Sequence, residues 1–141
     1  MAELRGFETG LIVVGTKTIE VAEISVNSTK DLNEHYTSDS KKPKYIRSTN
    51  YKYEYTIKKV FSDFALSKIF EADCEFTLLL FNNDVDPPQL IESLDGCKLG
   101  QDNLNVTGQD FAMQDISGKA LNRRLEETEI KEVIRKECKA I

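Results

Sequence analysis

Residue types that carry out chemistry in enzymes are sparse in this chain of 141 residues. The one histidine, His35, lies in a polar stretch without a serine or cysteine nucleophile in a recognisable setting. The chain contains no Gly-x-Ser-x-Gly, no glycine loop of the phosphate-binding type and no His-x-x-x-His pair. We therefore expect no enzymatic activity, no catalytic residue and no cofactor.

Metal and disulfide chemistry are also poorly supported. Cys74, Cys97 and Cys138 are an odd number without Cys-x-x-Cys spacing, so we expect reduced thiols, no disulfide framework and no zinc site. Asp84 and Asp86 suggest calcium. The two prolines that follow them, and the lack of a turn glycine and a closing glutamate, break the EF-hand spacing. We expect no metal.

The charge balance limits the partners. Nineteen Lys and Arg against 24 Asp and Glu give a net charge of −5 and a pI near 5.0, whereas nucleic-acid binders usually carry a basic surface. The clusters at 41–44, 58–59 and 123–124 lie among or next to acids, as solvated surfaces do. No apolar run approaches the ~20 residues of a membrane span, and the N-terminus lacks a signal-peptide pattern. We expect neither a membrane protein nor a conventionally secreted one.

Alternating apolar and polar residues predict the elements that must position any site. Residues 10–14 and 17–29 flank a Gly15-Thr16 turn and predict a hairpin, with a phase shift at Ala22 that suggests a bulge. The strongest strand signal lies between residues 45 and 61, where tyrosines and Ile57 occupy one face. The tyrosine stripe could stack bases, but such a stripe is more often core or interface. The opposite, polar face consists of Asn50, Lys52, Glu54, Thr56 and Lys58.

A polar segment of residues 31–44 precedes that strand. It is nearly free of apolar anchors, and we predict a long loop that becomes ordered against another molecule. The candidate contact residues are Asp31, Asn33, Glu34, His35, Tyr36, Asp39, Lys41, Lys42 and Lys44.

The remainder predicts more strands and two helices. Ser62-Asp63 can cap a short helix that runs to about residue 71, and residues 74–82 form a strand apolar enough to be covered on both faces. Residues 89–94, 99–106 and 110–121 predict further strands, with a turn at Asp95-Gly96. The predicted fold is mainly β: a β-sandwich or partly closed barrel with one short helix packed on it.

The chain from residue 125 differs in pattern from the rest. Apolar residues recur there at three- and four-residue intervals, which predicts an amphipathic helix over 125–141. We therefore divide the chain into a β domain of residues 1–124 and this C-terminal helix.

The order of these elements resembles that of the tail tube proteins of tailed bacteriophages, particularly contractile and prophage-type tails, and of related phage-tail-like particles. The resemblance covers residues 8–121 and is carried by 53–64 (YEYTIKKVFSDF), 75–80 (EFTLLL), 91–99 (IESLDGCKL) and 103–106 (NLNV). Two departures are the absence of a glycine- and threonine-rich run before the long strand and the longer C-terminal tail. The tail leaves a neck or baseplate role open.

The resemblance implies a non-enzymatic virion protein. Subunits of this family form stacked hexameric rings whose sheets join edge to edge into a barrel, through which DNA passes during infection without specific binding. The resemblance implies that residues 31–44 contact the next ring and that the polar face of the long strand lines the channel. It also implies sheath, baseplate and terminator proteins as partners, no membrane, and a place in the virion tail after synthesis in the host cytoplasm.

Three alternatives remain open. The chain could be the inner tube of a phage-derived bacteriocin or injection machine, which differs only in cargo. It could be a small β-barrel that binds a ligand in a cavity lined by aromatic residues. A binder of single-stranded nucleic acid that uses the tyrosine stripe fits the acidic pI poorly. The aromatic residues of the ligand cavity would be Tyr51, Tyr53, Tyr55, Phe76 and Phe81.

Overall fold

The computed structural model describes residues 9–21, 23–39, 41–61, 63–82, 89–106, 108, 112–126, 130 and 132–139. The predicted mainly β fold with one short helix is confirmed. In chain order the elements are β1 (Thr9–Val14), β2 (Lys17–Val21), β3 (Glu23–His35), β4 (Tyr45–Val60), α1 (Ala65–Glu71), β5 (Phe76–Asn82), β6 (Gln89–Asn105), β7 (Met113–Ala120) and β8 (Asn122–Leu125).

The eight strands form one antiparallel sheet that is not closed. Their order is β2-β1-β5-β6-β7-β4-β3, with β8 paired to β6 beside this path. The long strand β6 joins two halves, because its residues up to Cys97 pair with β5 and those from Lys98 pair with β7. Instead of two separate sheets or a barrel, the chain thus forms one sheet whose two halves share a hydrophobic core.

β6 continues through the position where the sequence predicts a turn, at Asp95-Gly96. Asp95 pairs with Asn122 of β8, and Cys97 is again in the ladder with β5. Gly96 has a φ of 63°, and a Cβ on it would lie 2.7 Å from the side chain of Leu121. Glycine is needed here because the strand takes a left-handed conformation against a close neighbour.

β1 and β2 form the predicted hairpin around the Gly15-Thr16 turn. β2 pairs with β1, whereas β3 pairs with β4. Val21 is buried, and Ile24 packs against the same core although it lies three residues further on. The phase shift therefore coincides with the passage of the chain from one half of the sheet to the other, and Ala22 itself lies outside the described residues.

β5 is buried on both faces, as its apolar sequence predicts. One face belongs to the main core. On the opposite face Thr77 and Leu79 are buried, and Thr77 Oγ1 donates a hydrogen bond to the carbonyl of Ile134 at 2.5 Å. The C-terminal segment thus lies against the outer face of β5.

The amphipathic helix predicted for residues 125–141 is not formed over residues 132–138, which have no regular secondary structure. One helical hydrogen bond, from Ile130 N to the carbonyl of Glu126 at 3.2 Å, lies in the earlier part of the segment. Gly15 N donates to the carbonyl of Lys136 at 2.7 Å, and Arg135 Nη1 donates to the carbonyl of Gly15 at 3.2 Å. The backbone binds the sheet instead of itself, which is incompatible with a helical ladder. We call residues 130 and 132–139 the strap.

A disulfide joins Cys138 of the strap to Cys74, just before β5. The prediction of three reduced thiols was therefore wrong for this pair, while Cys97 is free and buried. The two bonded positions are 64 residues apart in sequence and are brought together by the path of the strap, which the cysteine spacing does not encode.

Helix α1 is present where predicted. Asp63 Oδ1 accepts a hydrogen bond from the backbone N of Ala65 at 3.1 Å, and Leu66 and Ile69 are buried in the main core. Ser62, the other predicted capping residue, lies outside the described residues. Within the part of the chain that the structure describes, no helix is long and apolar enough to cross a membrane.

Candidate functional site

A two-stranded arm carries the residues predicted to contact a neighbouring ring. β7 pairs with β4 only over residues 53–60, so the first half of β4 pairs with β3 alone. We define the arm as residues 30–51. Lys44 N donates to the carbonyl of His35 at 2.7 Å and closes its tip. The described arm residues are exposed, apart from two half-buried ones at 48 and 49.

The prediction of a loop over residues 31–44 was wrong for its first third. Residues 31–35 continue β3, and residues 36–44 connect the strands. Both faces of a two-stranded ribbon meet solvent, so the ribbon lacks the apolar alternation that marks a half-buried strand. The strands of the arm are thus joined by backbone pairing.

Side-chain contacts also order the arm near its tip. The rings of His35 and Tyr45 stack with their centroids 4.5 Å apart. The Tyr36 hydroxyl donates to the Glu34 carboxylate, and this hydrogen bond raises the pKa of Tyr36. The other predicted contact residues are exposed along the arm: Asp31, Asn33, Asp39, Lys41, Lys42 and Lys44.

One face of the arm carries two exposed aliphatic side chains among polar ones. β3 alternates without an inserted residue, so Leu32 lies on the same face as Val26, which packs against the core. Ile46 shares this face, because its partner Glu34 alternates with Leu32. Leu32 is 57% exposed and Ile46 is 54% exposed. Neither residue was among the predicted contact residues, although Leu32 is a large apolar side chain inside the polar segment 31–44 and Ile46 lies just after it, which was a usable signal.

A bulge lies at the base of the arm. Lys30 pairs with Tyr51 and Asp31 pairs with Thr49, so Asn50 is the extra residue. Asn50 has a φ of 50°, which asparagine tolerates better than most residues, and its Nδ2 donates to Asp31 Oδ2 at 3.1 Å. Asn50 therefore leaves the alternation from which its place on the polar face was predicted.

The other four candidate channel residues belong to a wider surface. Lys58 pairs with Glu23 on β3 and with Asp115 on β7, and Glu54 pairs with Lys119 on β7. Sequence analysis missed the positions on the other strands, because cross-strand register is a long-range property. We define the polar face as Glu23, Ser25, Asn27 and Thr29 of β3; Lys52, Glu54, Thr56 and Lys58 of β4; Asp115, Ser117 and Lys119 of β7; and Lys98, Gln101 and Asn103 of β6.

The polar face is balanced in charge. Lys58 lies between Glu23 on β3 and Asp115 on β7, so its positive charge has a negative charge on each neighbouring strand. The net charge of −5 is therefore not concentrated here. The charged members are four lysines and three carboxylates: Lys52, Lys58, Lys98, Lys119, Glu23, Glu54 and Asp115.

Two arginines bind β8 to β6. Arg123 forms an ion pair with Glu92 and donates to Ser28 Oγ of β3 at 2.7 Å. Arg124 Nε lies 2.7 Å from Asp95 Oδ2. Glu92 and Asp95 are buried, where an unpaired carboxylate would be costly. The arginine pair predicted to be a solvated surface is instead half-buried and structural.

The tyrosine stripe divides between core and arm. Tyr55 is buried, its ring stands edge-on to Phe76 with centroids 6.0 Å apart, and its hydroxyl donates to the carbonyl of Lys98 at 2.9 Å. Burial raises the pKa of Tyr55. Tyr51 is exposed on the arm. Because Tyr55 and Phe76 fill the core, these rings do not line the ligand cavity proposed for them.

Reactive side chains are not assembled into a catalytic centre in the described part of the chain. Burial raises the pKa of the Cys97 thiol to about 12, so it stays protonated and is a poor nucleophile. Among the described residues, no three His, Cys, Asp or Glu side chains are grouped as metal ligands. Asp84 and Asp86, which suggested calcium, lie outside the described residues.

No protein-family model and no curated protein matches the chain in sequence. Solved structures match it in fold. A chain of the anti-feeding prophage tube-terminating cap superposes with a TM-score of 0.70 at 11% identity, covering 89% of this chain and 92% of that one. A chain of the anti-feeding prophage baseplate gives 0.66 at 8% identity, covering 88% and 95%. A chain of the sheath–tube complex of the extracellular contractile injection system PVC gives 0.63 at 15% identity, covering 84% and 88%. The chain therefore has the fold of proteins found in phage-tail-like particles.

Proposed function

We propose that this chain is a structural subunit of the tube of a phage-tail-like particle, and that it assembles into stacked hexameric rings. The observation that carries the proposal is the fold shared, over most of both chains, with proteins of a sheath–tube complex and of a tube-terminating cap. The six-fold symmetry of the baseplate that holds another similar chain supports six subunits per ring.

The open edges of the sheet supply the contacts within a ring. β2 and β3 stand at the two ends of the strand order, and β8 has one partner, β6, among the described strands. Edge strands carry unpaired N–H and C=O groups that template pairing with another chain. Neighbouring subunits therefore join their sheets edge to edge, and the assembly surface uses what would otherwise be an aggregation hazard.

The polar face lines the channel. In a closed ring of sheets one face points inward, and the opposite face of this sheet is occupied by the core. Balanced charges neither hold a polyanion nor strongly repel it, which suits passage without specific binding. The cargo is DNA in a tailed phage, or an effector in an injection machine.

The partners follow from this role. Sheath, baseplate and terminator proteins contact the tube in the assembled particle, as the complexes that contain the similar chains suggest. The subunit is made in the host cytoplasm and ends in the tail. It works through surfaces, without catalysis, cofactor or membrane.

Negative-stain electron microscopy of the purified chain, with a solution mass measurement, tests the proposal. We expect rings or tubes with an open channel and a mass that is a multiple of the 16.0 kDa subunit. A 16.0 kDa monomer that remains monomeric at high concentration and with tail initiation components would overturn it.

A further inference from the structure

We infer that rings stack head to tail, with Leu32 and Ile46 of the arm inserted against an apolar patch at the opposite end of the sheet in the next ring. The inference rests on the proposed tube function, and it assigns the surface that receives the arm.

The arm and the patch lie at opposite ends of β4. The arm contains the Tyr45 end. At the other end Val60 pairs with Met113, and Met113 also pairs with Asn105 of β6. The C-terminal ends of β4 and β6 and the N-terminal end of β7 therefore lie side by side, at the end of β4 that is far from the arm. Sixteen residues of β4 separate the two ends by roughly 50 Å at about 3.3 Å per residue.

Large apolar side chains are exposed at this second end. Phe64 is 58% exposed and Val106 is 72% exposed, and Leu104, two residues before Val106, is also exposed. The ring of Phe64 packs edge-on against Phe61 with centroids 4.9 Å apart, so it is held in place. We call Phe64, Leu104 and Val106 the end patch.

The arm and the end patch continue the same side of the sheet. Leu104 pairs with Gln114, which is buried on the core-facing side, and Leu32 of the arm lies on that side as well. The core-facing side thus extends beyond its covering layer at both ends. A second copy displaced along the strand direction would cover one exposed end with the other and remove both from water.

Charge also distinguishes the two ends. The arm carries five basic and three acidic side chains, a net charge of +2, whereas Asp63 directly precedes Phe64 and Asp102 lies two residues before Leu104. Opposite signs favour arm-to-patch encounter over arm-to-arm encounter. Because the two surfaces differ, each bound copy leaves one arm and one patch free, which is the condition for an open-ended stack.

Complementation between two variants tests the inference. Ile46→Thr removes apolar surface from the arm but keeps a β-branched residue, and Val106→Asp places a charge in the end patch. We expect each variant to form rings whose apparent stacking affinity falls by about tenfold or more. When rings of the two variants are mixed, they should form pairs of rings and no longer stacks. Only the intact arm of Val106→Asp can bind the intact patch of Ile46→Thr, and the remaining arm and patch of each pair are both altered. Leu121→Asp is the matched control: it is 76% exposed at the β7–β8 bend and should stack normally.

Cross-linking adds a direct readout. Rings of Ile46→Cys mixed with rings of Val106→Cys should form an intersubunit disulfide on oxidation, and rings of Ile46→Cys mixed with rings of Leu121→Cys should not. The native free thiol, Cys97, is buried and should not interfere. The proposed function fails if the wild-type chain forms no rings. The present inference alone fails if wild-type tubes form while either variant stacks normally, if rings themselves are lost, or if no cross-link appears.

Discussion

At the scale of single residues, Gly118 sets how closely β7 can approach the core tyrosine. A Cβ at this position would lie 2.0 Å from the Lys98 carbonyl oxygen and 2.5 Å from the Tyr55 hydroxyl. We expect Gly118→Ala to lower the free energy of unfolding by about 1–3 kcal/mol, because the strand must move and the Tyr55–Lys98 hydrogen bond must stretch. Chemical denaturation measures this. Gly108→Ala, with no neighbour within 4 Å, is the control, and equal denaturation midpoints for the two variants would contradict the packing argument.

Cys97 should reveal its environment through thiol reactivity. Its pKa is raised to about 12 by burial, so the folded state keeps a proton that the unfolded thiol loses near pH 8.5. Its contribution to stability is therefore complete below about pH 8.5 and is lost as pH rises toward 12.

A thiol-specific reagent should label no cysteine in the native protein, one after denaturation and three after denaturation with reduction. Labelling of three thiols without a reductant would contradict the disulfide.

At the scale of elements, the strap has to be anchored to cover the outer face of β5. Replacing both bonded cysteines, Cys74→Ser with Cys138→Ser, should lower the free energy of unfolding by about 2–4 kcal/mol, since the closed loop no longer restricts the unfolded chain. Thermal unfolding with and without reductant measures the effect. Reductant should lower the stability of the wild-type chain and leave the double variant unchanged. An unchanged wild-type stability would mean that the strap is held by other contacts.

Local pattern predicted those elements whose environment differs between faces. β4 alternates because Tyr55 and Ile57 enter the core while Glu54 and Thr56 face solvent, and α1 is marked by its buried Leu66 and Ile69. An element that has one buried and one exposed face therefore shows a periodic pattern of apolar residues, which the sequence alone reveals.

The arm and the strap could not be predicted in this way. The arm has solvent on both faces, so its residues 31–35 look like a loop. The strap has a helical period, but hydrogen bonds to Gly15 and Thr77 compete with its own backbone ladder. The structure of these two elements is determined by contacts with other parts of the chain. Because the arm was not predicted, Leu32 and Ile46 were not predicted as contact residues either.

At the scale of the whole molecule, the surfaces proposed for assembly point in different directions. The two edges of the sheet are its outermost strands, which run along the strand direction. The arm and the end patch lie at the two opposite ends of the strands. The polar face lies on the side of the sheet that faces away from the core. Ring closure, stacking and channel lining therefore need not compete for the same residues. This separation is why the variants above can be expected to affect stacking while rings persist.

A charge reversal on the polar face tests whether this face lines the proposed channel. Wild-type tubes should not retain duplex DNA at about 0.15 M salt, because the four lysines and three carboxylates of the polar face leave a net charge of only +1 per subunit. Glu54→Lys should make assembled tubes retain DNA, with a steep loss as salt rises, since every subunit adds cations to one confined channel. Co-sedimentation of tubes assembled with short DNA fragments, over a salt series, measures retention. Glu71→Lys makes the same change at the exposed end of α1, on the core-facing side of the sheet, and if its tubes bind DNA as well as those of Glu54→Lys, the polar face does not line the channel.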